Sequence, residues 1–101
     1  MVTIPVEIPS EAIAAFCQRN HIRKLSLFGS ILTDRFRDDS DVDLLVEFEK
    51  GLGPGYFGLV GMEMELSEMI GRKVDLRTPG ELSRHFREEV VASAVPQYEQ
   101  G

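Results

Sequence analysis

Apolar and polar residues alternate most regularly between Asp41 and Glu49, where Val42, Leu44, Val46 and Phe48 interleave with Asp41, Asp43, Leu45, Glu47 and Glu49. A two-residue period sends successive side chains to opposite faces, so this segment predicts a strand with one core face and one face that begins with carboxylates. Arg23 to Phe28 predicts another strand, with Leu25 and Leu27 on one side and Lys24, Ser26 and Phe28 on the other. It runs straight into Gly29-Ser30, after which a short helical turn is expected. Lys73 to Arg77 predicts a third, short strand in which Val74 and Leu76 face away from Asp75.

Helical periods fill the intervals. Pro9-Ser10-Glu11 marks the start of a helix whose Ile13, Phe16 and Cys17 share a face, with Asn20 as its stop. Leu59, Met62, Leu66 and Met69/Ile70 predict a helix from Tyr56 to Ile70, closed by Gly71. Gly58 and Gly61 each cost about 1 kcal/mol relative to Ala, which favours a later start. Thr78-Pro79-Gly80-Glu81 reads as a capping box with proline at the first helical position, so a last helix is expected from about Pro79 to Ala94, striped by Leu82, Phe86 and Val90 and ended by Pro96. Gly51 to Gly55, with three glycines and a proline, predicts a loop. Strands separated by helices give an α/β (α+β) class: one domain, core about residues 22–98, with a small mixed sheet flanked by helices.

Composition narrows the function classes. A chain of 101 residues has room for one core and no second domain. Seventeen acidic against 11 basic side chains, a net charge of -6, argue against generic binding to nucleic acid or anionic membrane, both of which need clustered cations. The lone Cys17 excludes an internal disulfide framework and a multi-cysteine zinc site, and agrees with a reducing compartment. No apolar run approaches the ~18 residues of a membrane span, and Met1 to Ser10 lacks the pattern of a signal peptide. A cytoplasmic protein is therefore expected.

The chemistry concentrates in one constellation. Asp41 and Asp43, two apart on a strand, leave the same face with Cα atoms roughly 6.5 to 7 Å apart. Two such carboxylates repel unless a cation neutralises them, and hard oxygen donors suit Mg²⁺ or Mn²⁺. Asp75 is the candidate third carboxylate, and three aspartates on one sheet face would suit metal-assisted phosphoryl transfer. Gly29-Ser30 offers close backbone approach and a hydroxyl to a phosphate, and Arg77, near Asp75, is the candidate cation for it. Asp38 and Asp39 read as a solvated turn. A calcium loop starting at Asp39 fails at its sixth and twelfth positions, Leu44 and Lys50, and Gly51 to Gly55 lacks the Gly-Lys-Ser/Thr of a Walker loop. His21 and His85 lack ligand partners at metal spacing.

Leu27-Phe28-Gly29-Ser30, ten residues, then Asp41-Val42-Asp43 resembles the signature of the DNA polymerase beta-like nucleotidyltransferase superfamily. The short chain and Lys73-Val74-Asp75-Leu76 after a helix are similar to its minimal nucleotidyltransferase (MNT) branch. The resemblance implies a nucleotidyltransferase fold, triphosphate binding at Gly29 and Ser30, metal binding at Asp41 and Asp43, and activation of an acceptor hydroxyl by Asp75. It further implies an antitoxin-type partner of a HEPN-domain toxin, with Mg²⁺-dependent transfer of AMP from ATP to a tyrosine of that partner, release of pyrophosphate, and a joint oligomer. The alternative is a non-catalytic antitoxin or nucleotide-binding module that neutralises its partner by direct binding. From Asp34 to Lys50 there are 7 acidic and 3 basic residues, so most of the net charge surrounds the proposed site. With no length left for an acceptor domain, the acceptor is expected on another protein.

Overall fold

In the computed structural model, which describes residues 4–100 without the Tyr56 side chain, seven elements alternate along the chain. They are α1 (Ser10–Arg19), β1 (Ile22–Phe28), β2 (Val42–Phe48), α2 (Tyr56–Ile70), β3 (Val74–Arg77), α3 (Arg87–Ser93) and β4 (Val95–Glu99), with 3-10 turns at Gly29–Leu32 and Pro79–Glu81. The sheet order is β3-β2-β1-β4, with β2 and β3 parallel and the other neighbours antiparallel. It is a single small domain with a four-stranded mixed sheet and three helices, the class the hydrophobic pattern predicts. Among the described residues no helix is long and apolar enough to cross a membrane. Met1 to Thr3, the start of the segment read for a signal peptide, lie outside the described residues.

One sheet face is sealed. Leu25 and Leu27 of β1, Val42, Leu44 and Val46 of β2, and Val74 and Leu76 of β3 are buried in one cluster with Ile13, Phe16 and Cys17 of α1 and Met62, Leu66 and Ile70 of α2. Full burial of a side chain such as Phe16 or Leu66 contributes roughly 1.5 to 3 kcal/mol, so this layer carries most of the stability. Burial pushes the Cys17 thiol up to about 12, which leaves it an unreactive packing residue. The α1 stop falls where expected: the Asn20 amide donates to the Phe16 carbonyl at 2.9 Å.

Helix α2 begins at Tyr56 rather than later. Gly58 is accommodated because a Cβ there would stand 2.5 Å from the Pro54 side chain, so close packing of the preceding loop on the first turn needs a residue without one. The same helix closes the outer edge of β3. The Val74 N–H donates to Ser67 Oγ at 2.9 Å and the Leu76 N–H donates to Glu63 Oε2 at 2.7 Å.

The last helix differs from expectation. Thr78 and Glu81 do pair, the Thr78 N–H and hydroxyl each donating to Glu81 Oε1 at 3.1 Å, but they close only the 3-10 turn. Pro79 and Gly80 inside that turn propagate a helix poorly, and Leu82 turns extended at φ -77, ψ 145. Ser83 restarts the chain: its carbonyl accepts from Phe86 and Arg87, and α3 spans only Arg87–Ser93. Pro96, expected to be a terminator, lies within β4. It faces Ser26 of β1 next to a register shift on an edge strand, where its missing N–H breaks no ladder.

Candidate active site

Strand pairing brings the motif residues together. Antiparallel register sets Phe28 opposite Asp43, so Gly29-Ser30, the next two residues, arrive beside that carboxylate. Parallel register sets Asp43 opposite Asp75, and Asp41 lies just ahead of β2. The expected constellation therefore assembles on the sheet face opposite the core, although its members are up to 46 positions apart in the chain.

Gly29 is fixed by two constraints. Its φ of +80° lies in the left-handed region, and a Cβ there would collide with the Asp43 carboxylate. The Asp43 carboxyl is pushed up to about 6, first by burial and then by the charges of Asp75 and Asp41; the Arg77 charge and the Ser30 backbone amide pull it the other way. The flanking carboxylates have cations of their own. Lys73 Nζ stands 3.8 Å from Asp41 Oδ2, and Arg77 grips both oxygens of Asp75, Nε at 3.1 Å and Nη2 at 3.2 Å. Asp43 has no ion pair among the described residues.

Among the described residues no three carboxylate, imidazole or thiol groups converge into a closed metal cage. The donor chemistry nevertheless fits a hard divalent cation at Asp41 and Asp43: two same-face carboxylates, one of them half-buried, repelled by its neighbours and without a counter-ion. Asp75 is turned towards Arg77 and is the least available of the three.

Two cavities flank the aspartate row. One, of about 680 Å³, is lined by Gly29, Ser30, Arg35 and the apolar Phe28, Leu32, Phe86 and Val90. The other, of about 580 Å³, is lined by Asp75, Arg77, Glu63 and Glu81 with Leu59 and Val60. Arg77, the cation expected at the phosphates, thus lines a different cavity from Gly29 and Ser30 and leans on Asp75 and Glu81.

Several residues at the site carry no local sequence signal. Arg72 Nη2 donates to the carbonyls of Arg37, Asp38 and Ser40 at 2.7 to 2.8 Å, while its guanidinium lies 4.6 Å from the Phe36 ring centre. It clamps the turn that delivers Asp41. In that turn Asp38 and Asp39 are exposed, and Ser40 Oγ accepts the Arg37 N–H at 2.9 Å, so the solvated-turn expectation agrees with the structure. Glu63 is likewise invisible from spacing, because it meets β3 only after the chain folds back.

A nucleotidyltransferase domain family matches residues 10–97. A candidate protein adenylyltransferase of Methanocaldococcus jannaschii is 31% identical over 77 residues, 76% of this chain and 81% of that protein. The protein adenylyltransferase MntA of Thermococcus cleftensis is 31% identical over 78 residues, 77% of each. A solved structure of a candidate minimal nucleotidyltransferase aligns at a TM-score of 0.71 with 32% identity, covering 86% of this chain and 87% of the other. The same fold recurs at 18% identity in a toxin-antitoxin complex with AMP-PNP, TM-score 0.72, covering 92% of this chain and 75% of that one. With the Gly-Ser and aspartate positions assembled on the sheet face opposite the core, these matches establish that the chain belongs to the nucleotidyltransferase-domain family, in its minimal branch.

Proposed function

We propose that this protein transfers AMP from ATP to a hydroxyl group of a partner protein, a tyrosine of a HEPN-type toxin, in the cytoplasm. The observation that carries the reading is the register that sets Asp43 beside Asp75 and beside Gly29-Ser30, between two cavities. Two cavities serve two substrates. The acceptor oxygen attacks the α-phosphorus, the bond from that phosphorus to the bridging oxygen breaks, and pyrophosphate leaves. Asp75 faces the acceptor cavity and is the group to receive the hydroxyl proton, with Arg77 holding it in place. Gly29 and Ser30 cradle the phosphates. Asp41 and Asp43 would hold Mg²⁺ or Mn²⁺, which supplies neutralisation of phosphate charge when bound.

The relatives support the transfer class, since one is a protein adenylyltransferase by name and another a candidate one. Support for the partner comes from fold neighbours: one is a complex of a tri-AMPylated Shewanella oneidensis HEPN toxin with an MNT antitoxin, aligned at a TM-score of 0.64 and 18% identity. The test incubates the full chain with α-labelled ATP, Mg²⁺ and its co-encoded neighbour. Label should move to the neighbour with the wild type and not with an Asp41→Asn, Asp43→Asn double variant. No transfer by the wild type overturns the reading.

A second reading, neutralisation by binding alone, is favoured by one feature. Val60 and Met64 of α2 are 38% and 66% exposed, apolar, and four residues apart on one helix face. If the double variant neutralises the toxin as well as the wild type does, binding rather than transfer is the antitoxin activity.

A further inference from the structure

We propose that Arg35 and Phe86 complete the nucleotide site, Arg35 contacting the triphosphate and Phe86 stacking on the nucleoside. The inference deepens the proposed reading and rests on ATP being the substrate. A triphosphate bound beside Gly29-Ser30 needs a cation, and the cations of this chain are largely committed. Arg37 and Arg72 donate to backbone carbonyls. Lys73 and Arg77 face Asp41 and Asp75. Arg19, Arg23 and Lys24 pair with glutamates, and Arg87 donates to the Leu82 carbonyl. The Arg35 side chain has no partner among the described residues, is exposed, and lines the cavity that holds Gly29 and Ser30. Lys50 and Arg84 do not line it.

The part of that cavity lined by α3 and its N-cap fixes the orientation of the ligand. It is supplied by Phe86 and Val90, one helical turn apart, and by Glu89. A polyphosphate laid against Glu89 would be repelled, whereas an aromatic base gains from Phe86, 53% of whose surface is exposed. The phosphates therefore lie on the Gly29 and Arg35 side and the nucleoside on the α3 side.

Calorimetric titration of the full chain with ATP and with adenosine, in Mg²⁺, separates the two roles. Arg35→Ala should weaken ATP about tenfold and adenosine less than about twofold, because a charge-assisted contact to phosphate is lost. Phe86→Ala should weaken ATP and adenosine by a similar factor, about fivefold or more. Both side chains are exposed, so neither variant threatens the core, and Lys50→Ala controls for the general effect of removing one charge. Equal ATP affinity in wild type and Arg35→Ala, or a loss matched by Lys50→Ala, overturns the phosphate role. ATP binding that depends on Arg77 instead of Arg35 also overturns it. Adenosine binding unchanged by Phe86→Ala overturns the stacking role. In each of these cases wild-type ATP binding still stands, whereas a wild type that binds no ATP removes the proposed function as well.

Discussion

The two faces of the sheet are built from the same strands and differ by one residue in register. On the sealed face Leu25, Leu27, Val42, Leu44, Val46, Val74 and Leu76 meet two helices and exclude water. On the other, Asp43 and Asp75 sit beside each other, with Ser26 and Leu45 the buried pair next to them. The first face gains free energy by packing; the second holds like charges together at a cost. A small domain can carry such repulsion only because alternate residues of the same strands secure it, so stability and chemistry should respond to separate substitutions.

The largest test of that separation is Asp75→Asn. We expect AMP transfer to fall by roughly three orders of magnitude, with the melting temperature and ATP affinity little changed; a comparable collapse in stability would break the distinction between faces. Phe16→Ala probes the sealed face. It should cost roughly 3 to 4 kcal/mol in urea unfolding while the folded fraction keeps its ATP affinity. Gly29→Ala tests the point where the faces meet, since it introduces both a left-handed strain and a clash with Asp43. A loss of about 2 kcal/mol is expected, together with weakened ATP binding.

The smallest effect has the opposite sign. Because Asp43 holds its proton up to about pH 6 in the folded protein, against 3.8 ordinarily, the folded state binds more protons than the unfolded chain between those values. Its contribution to stability is thus fully present below about pH 4 and is lost as the pH rises through 6. Asp43→Asn should therefore stabilise the metal-free protein at pH 7 to 8 by about 1 kcal/mol, after discounting for solvent screening of a half-buried group, and the advantage should vanish near pH 4. Unfolding curves that keep the same difference at both pH values would reassign the repulsion.

What could be read from the sequence was local. The alternation from Asp41 to Glu49 and the ten-residue gap from Ser30 are short-range patterns, and they located β2 and the aspartate pair. The pairing of Asp43 with Asp75 is a long-range register that no spacing specifies. The last third misled for a physical reason: Leu82, Phe86 and Val90 recur every four residues as in a helix, yet Leu82 is extended and the chain restarts at Ser83. Pro96 argues against a strand unless the strand lies at an edge, which only the sheet order reveals. Arg72 and Glu63 work through contacts 32 to 35 and 13 residues away.

The pair of side chains on α2 that meets β3 also governs how this sheet can join another. A strand approaching β3 needs free donors, and those of Val74 and Leu76 are already taken by Ser67 and Glu63, the latter an anion that a new carbonyl would have to evict. Addition of a strand from another molecule is thereby disfavoured at β3, the edge beside the cavity that Asp75 and Arg77 line.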